Sequence, residues 1–258
     1  MNYETIRYDL SEGIAVILLN REEKMNALNA QMRAEITDAV KTASAEARVI
    51  VLTGAGRAFC SGQDLGDSAS VAAIDLEGTL RDEYEPMLRA IAESPVPTIA
   101  AVNGAAAGAG ANLALACDVV IASEAAVFVQ AFTRIGLMPD AGGSYWLPRQ
   151  MGAAKAMGAA LFAEAISARQ ASDWGMIWEA VPEAEFEAHW LARATTLATG
   201  PTLAYGAVKT ALRAAWQNTE AEQLALEAHQ QGQLGQTRDF QEGVMAFLEK
   251  RKAGFEGR

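Results

Sequence analysis

One unit recurs along this chain and constrains its fold more than anything else in it. A short, β-branched apolar run ends at a turn, and helical spacing follows. Gly13-Ile-Ala-Val-Ile-Leu-Leu19 reads as a strand, and Leu28, Met32, Ile36 and Val40, at i+4 spacing, then mark one face of an amphipathic helix. Arg48-Val-Ile-Val-Leu-Thr-Gly54 repeats the strand. After a loop and a predicted helix comes Thr98-Ile-Ala-Ala-Val-Asn-Gly104, and Asp118-Val-Val-Ile-Ala122 closes the series. Strands alternating with helices predict an α/β fold built by right-handed crossovers.

Beyond these units the pattern changes twice. Between Gly66 and Ser94 the sequence turns polar and acidic, with Asp67, Asp75, Glu77, Asp82, Glu83 and Glu85, and reads as a mobile segment bordering a site. From about residue 145 strand signals thin out. Ser167-Ala-Arg-Gln170 predicts a capping box opening a short helix, and Met176-Ile-Trp178 to Val181 is the last strand-like run. Residues 183–199, 201–217, 220–235 and 239–251 have helical composition, punctuated by Gly200-Pro201 and Gly232. Trp174 and Trp178, at i+4, read as packing residues, with an aromatic-binding platform as the alternative.

Composition narrows the partners. With 258 residues, 51% hydrophobic and 21% charged, the chain can bury a sizeable core. Its longest apolar runs fall well short of the roughly 20 residues that span a bilayer, and Met-Asn-Tyr-Glu-Thr at the start is no signal sequence, so a cytoplasmic location is expected. A net charge of −11 argues against nucleic acid and anionic membrane as partners. Cys60 and Cys117 lack CxxC spacing and read as reduced core thiols, and no spacing suggests a metal site.

The candidate chemistry centres on Asp140. In Gly136-Leu-Met-Pro-Asp-Ala-Gly-Gly143 this carboxylate sits in apolar surroundings at a Gly-Gly turn. Low dielectric penalises the ionised form and raises a carboxyl pKa toward neutrality, where an acid can both take and return a proton. Capping the following helix is the competing role. Of the glycine-rich elements, Gly54-Ala-Gly56 lacks the third glycine of a dinucleotide fingerprint, and Gly104-Ala-Ala-Ala-Gly108-Ala-Gly110 has the wrong spacing. The latter opens the apolar helix around Asn112 to Ala116, whose first amides can face a carbonyl oxygen, unless its small residues serve only tight packing. His189 and His229 lie in charged helical stretches and give little support to a nucleophilic triad. Asp64 and Asp118 read as turn or capping residues, and Arg21, Lys24 and Arg57 as basic groups near the candidate segments, each of which is ordinarily a solvated charge.

Four motifs carry a resemblance. Asn20-Arg-Glu-Glu-Lys-Met-Asn-Ala-Leu28, Leu52-Thr-Gly-Ala-Gly-Arg-Ala-Phe-Cys-Ser-Gly-Gln-Asp-Leu65, Ala101-Val-Asn-Gly-Ala-Ala-Ala-Gly-Ala-Gly-Ala-Asn-Leu113 and Gly136 to Gly143 resemble, in order and spacing, the crotonase or enoyl-CoA hydratase/isomerase superfamily. The resemblance implies a spiral of repeated β-β-α units over residues 1–200, a helical oligomerisation region over 201–258, a homotrimer or dimer of trimers, and an acyl-CoA substrate whose CoA is no separate cofactor. It assigns an oxyanion hole to the amides of Gln63 and Ala109, and a CoA cradle to Lys24, Ala27, Gln63, Asp64 and Leu65.

The departures matter as much. Hydratases of the superfamily carry two glutamates that hold and activate water, and those positions here are Asn112 and Phe132, neither of which can act as a base. Asp140 falls where several isomerases of the superfamily keep a catalytic aspartate. Gln130-Ala-Phe132, Trp146-Leu-Pro-Arg149 and Trp174-Gly-Met-Ile-Trp178 resemble the branch that converts ring-1,2-epoxyphenylacetyl-CoA to oxepin-CoA. The expectation is an acyl-CoA isomerase, with a hydratase using another water-holding group, or a non-catalytic acyl-CoA binding or assembly protein, as alternatives.

Overall fold

The computed structural model describes residues 3–66 and 75–258. Asp67 of the acidic stretch lies outside them.

The chain opens on an antiparallel hairpin, β1 (Ile6–Ser11) and β2 (Ile14–Leu19). Its two-residue turn, Glu12-Gly13, takes left-handed φ at both positions, which matches the twist of the paired strands. Helix α1 (Ala30–Glu46) follows, then β3 (Val49–Gly54) and β4 (Ala58–Cys60). Helices α2 (Leu76–Thr79) and α3 (Glu85–Ala92) are joined by a π-helical turn over Leu80–Tyr84. The next turn of the spiral is β5 (Thr98–Val102), β6 (Ala105–Ala107) and α4 (Ala109–Ala116), and the one after begins with β7 (Val119–Ser123) and β8 (Val127–Val129).

In each of these turns the first strand joins one sheet and the second joins another. The larger sheet has the order β1-β2-β3-β5-β7-β10 and is parallel from β2 onward; the smaller has the order β4-β6-β8-β9. Here β9 is Ile166–Ser167 and β10 is Glu179–Val181, reached through α5 (Gly143–Met151), α6 (Ala153–Phe162) and α7 (Ala168–Asp173). Period-two alternation explains the unbroken apolar runs of β3 and β5. Ile50, Leu52, Ala100 and Val102 enter the main core with α1, α3 and α4, whereas Val49, Val51, Ile99 and Ala101 meet Phe186 and Ala194 of α8 (Phe186–Ala198). Both faces of the sheet are covered at these strands.

The tail is α9 (Thr202–Ala214), α10 (Glu220–Leu234) and α11 (Arg238–Glu249). Arg48 ties it to the core through Thr202 Oγ1 (2.9 Å) and the Gly200 carbonyl (2.5 Å). Among the described residues, no helix is long and apolar enough to cross a membrane.

Several expectations need correction. Leu28 is not in α1: Asn29 caps that helix by accepting from the Met32 amide, and Leu28 instead pairs with Gln63. Residues 76–92 are helical. Glu77, Asp82 and Glu85 lie on the solvent side of a stripe whose Tyr84, Met87 and Ile91 are buried, and Glu83 is half-buried. Ser167 does cap α7, but the reciprocal capping box belongs to Thr219 and Glu222 at α10. Trp178 is 66% exposed rather than packed, and the strand after it begins only at Glu179.

Candidate active site

The first wall of the site is the turn after β4. Leu28 donates to the Gly62 carbonyl (2.7 Å) and accepts from the Asp64 amide (3.1 Å), so the two loops run as a single bridge at Gln63. Asn26, fully buried in a left-handed conformation, holds the first loop in place: its Nδ2 donates to the carbonyls of Ala55 (2.9 Å) and Ala58 (2.8 Å). Two glycines bring this turn onto the start of α4. A side-chain carbon at Gly110 would sit 2.3 Å from the Cys60 carbonyl oxygen. One at Gly62, where φ is +96°, would sit 2.8 Å from the Ala107 oxygen and 3.4 Å from the Ala109 nitrogen. The Gln63 and Ala109 amides thus lie on adjoining backbone, and neither donates to a backbone acceptor among the described residues. Ala109 also stands at the positive end of α4.

Gln63, Ala109 and Asp140 line one cleft of about 280 Å³. Leu76, Leu80, Tyr84, Phe132 and Leu137 are among the other side chains of its wall, and Asp140 is the only carboxylate among its described lining residues. The Asp140 carboxyl caps nothing. Helix α5 takes Gly142 as its N-cap, and it is the Asp140 backbone carbonyl that accepts from the Gly143 amide (2.8 Å). One carboxyl oxygen is buried with no hydrogen-bond partner. Burial pushes this carboxyl from 3.8 up to about 6, opposed only by a hydrogen bond from its own amide.

The remaining candidates separate clearly. Asp64 accepts from Arg21 (2.8 Å) and from the Gly66 amide (3.0 Å); partial burial would raise its pKa, but these bonds and the charges of Arg21 and Lys24 hold it below the usual range. Arg21 is therefore paired rather than a plain solvated charge. Lys24 is exposed and Ala27 buried on the same loop, beside the Gln63 to Leu65 turn. Asp118 is neither cap nor turn residue: it binds Thr98, Lys209 and Arg213. Burial pushes the Cys60 thiol up to about 12, which removes it as a nucleophile at neutral pH. His189 of α8 faces Glu179 of β10 (2.8 Å) and does not line the cleft.

Sequence reasoning missed the brace behind the first wall. Arg33, almost wholly buried on α1, donates to the Leu28 carbonyl (2.7 Å), to Gln63 Oε1 (3.1 Å) and to Glu83 (2.6 Å). The Tyr84 hydroxyl donates to the same Gln63 oxygen (2.5 Å). The helical spacing of Tyr84, Met87 and Ile91 is the signal that could have found Tyr84. Arg33 gave no local signal, because its side-chain partners lie 30 and 50 residues away.

A family model described as Enoyl-CoA hydratase/isomerase matches residues 9–258. The chain belongs to the enoyl-CoA hydratase/isomerase family. A probable enoyl-CoA hydratase of Rhodobacter capsulatus is 65% identical over the full length of both chains. The 1,2-epoxyphenylacetyl-CoA isomerase of Escherichia coli is 44% identical over 99% of each. Among solved structures, a putative enoyl-CoA hydratase/isomerase from Mycobacterium abscessus superposes with a TM-score of 0.93 at 38% identity, covering 98% of this chain and all of that one. The two sheets and their alternating strands are thus the crotonase fold, and the chain is an enzyme of this family.

Proposed function

We propose that this enzyme is an acyl-CoA isomerase in which Asp140 carries a proton between the carbon next to the thioester and a more distant carbon. The observation that carries this reading is the state of Asp140: one carboxylate in an apolar cleft, with an unpartnered oxygen and a pKa raised to about 6. Ionised, it accepts the proton from the α carbon. The resulting enolate oxygen rests on the Gln63 and Ala109 amides, and donors of this kind are worth about 10²- to 10³-fold in rate each. Protonated Asp140 then returns the proton along the conjugated system, which moves a 3-enoyl double bond to the 2 position or completes the ring expansion of an epoxyphenylacetyl-CoA to oxepin-CoA. CoA enters as part of the substrate, held along Lys24, Ala27, Gln63, Asp64 and Leu65, and no separate cofactor takes part. We place the enzyme in the cytoplasm as a homotrimer or dimer of trimers, with exposed Leu212, Trp216, Phe247 and Leu248 on or beside the tail helices as self-association residues.

Hydration, the activity in the name of the Rhodobacter relative, is the second reading. Against it stands Asn112, where a water-activating glutamate would be needed. Both ends of its carboxamide are already engaged, with the Asp140 carbonyl and with Gln130, and Phe132 offers no polar atom. Deuterium exchange at the α carbon of a 3-enoyl-CoA or a phenylacetyl-type CoA separates the readings. Exchange in the wild type and its loss in Asp140→Ala supports the isomerase. Brisk hydration of crotonyl-CoA that survives Asp140→Asn overturns it.

A further inference from the structure

A proton carrier works only if its carboxyl is held in place, and two side chains that do not line the cleft hold this one. Asn112, completely buried on α4, donates from Nδ2 to the Asp140 backbone carbonyl (2.8 Å). Its Oδ1 accepts from Nε2 of Gln130 (2.9 Å), itself 1% exposed. The Gly143 amide supplies the second donor to the same carbonyl (2.8 Å), so both lone pairs of that oxygen are used. The chain then passes through left-handed conformations at Ala141 (φ +47°) and Gly142 (φ +82°), the first of which an alanine adopts only under constraint. The turn is pressed directly on the carboxamide: a side-chain carbon at Gly143 would lie 2.4 Å from Asn112 Nδ2.

We propose that Asn112, braced by Gln130, is a positioning residue that fixes the Asp140 peptide and thereby aims its carboxyl into the cleft. The inference rests on the reading of Asp140 as the proton carrier. Donor polarity is what the position requires. An ionised carboxylate there would set oxygen lone pairs against the Asp140 carbonyl and release the strained turn, so the site that could have held a water-activating glutamate is committed to the aspartate instead.

The test is α-proton exchange measured from pH 5 to 9, with thermal melts, in wild type, Asn112→Leu, Asn112→Leu/Gln130→Leu, Asn112→Asp and Asp140→Asn. Asn112→Leu is expected to lower kcat by about 10²-fold with KM little changed, the cost of a reacting group displaced by about 1 Å. It also leaves the Gln130 amide without an acceptor and lowers Tm. The double variant removes that orphan, so Tm recovers while kcat does not, an outcome that a merely structural role would not give. Asn112→Asp keeps the shape. Its protonated form can donate to the Asp140 carbonyl and its ionised form cannot, so its rate falls with rising pH where the wild-type rate climbs. Wild-type kcat in the double variant, or a wild-type pH profile in Asn112→Asp, overturns the proposal. Should Asp140→Asn itself exchange at the wild-type rate, the proton-carrier reading fails and the proposal with it. Inactive Asp140→Asn beside unaffected Asn112 variants sinks the positioning role alone.

Discussion

Two aspartates in this molecule begin from similar sequence and end in opposite states. Asp118 precedes β7 and accepts from the Thr98 amide and hydroxyl (2.9 Å each), from Lys209 (2.8 Å) and from Arg213 (2.8 Å). Asp140 precedes α5 and leaves a buried oxygen without any partner. Each stands beside apolar segments, yet one is saturated with donors and the other is kept short of them. The saturated acid stabilises: it fastens α9 to the end of β5. The starved acid is held in a state that costs free energy when ionised, which is the condition of a group kept for proton transfer.

The largest expected effect breaks the comparison at Asp140. Asp140→Asn keeps the shape and removes the proposed proton carrier, and the exchange rate should fall by about 10³-fold, within the range of general acid–base contributions. In the wild type kcat/KM should rise with pH and level off above an apparent pKa of about 6, because the ionised form is the base. Stopped-time exchange across that range checks both. A flat profile through pH 6 would mean that another group takes the proton.

Asp118→Asn should do the reverse. It strips the counter-charge from Lys209, which is 7% exposed and whose pKa burial already pulls down while Asp118 holds it up. Leaving such a cation uncompensated should cost about 3 kcal/mol of stability. Chemical denaturation would show the loss, and the rate per folded molecule should stay at the wild-type value.

The sequence made one of these fates readable and hid the other. Short-range pattern was enough for the parallel strands, since β2, β3, β5 and β7 are covered on both faces and read as unbroken apolar runs. It was enough for the glycine turns too, because close approach of the turn at Gly62 to α4 demands small residues. Edge strand β1 was lost to its polar, mostly exposed face, and β4, β6, β8 and β9 to being only two or three residues long. Asp140 stood out because nothing nearby could pair with it. The partners of Asp118 could not be seen, since Lys209 and Arg213 lie more than 90 residues downstream and only the packing of α9 brings them in. The Arg33 brace was hidden for the same reason.

A smaller effect sharpens the claim that Asp140 is held against its own preference. Its carboxyl has a folded-state pKa of about 6 against 3.8 when solvated, so the folded chain binds this proton more tightly. The stabilisation from that proton is fully present below about pH 4 and is lost as pH rises through 6. At pH 7.5 the ionised group therefore destabilises the fold, by roughly 1–2 kcal/mol after discount for its partial exposure. Asp140→Asn should melt higher than wild type at pH 7.5, and the gap should close near pH 4. A variant no more stable than wild type at neutral pH would show the carboxylate to be solvated after all.

The mildest change probes the opposite wall. Tyr84→Phe removes only the hydroxyl that donates to Gln63 Oε1 (2.5 Å), while Arg33 still reaches the same oxygen (3.1 Å). One donor of two is lost at a part-buried acceptor, worth about 1 kcal/mol. If the Gln63 side chain steadies the amide beside it, kcat for α-proton exchange should fall by roughly fivefold and Arg33→Met should deepen the loss, since it takes away the second donor. If the brace only closes the cleft, KM should rise with kcat unchanged. That split decides whether the first wall, like Asn112 on the second, is built to aim a reacting group or simply to bound the space in which the acyl chain sits.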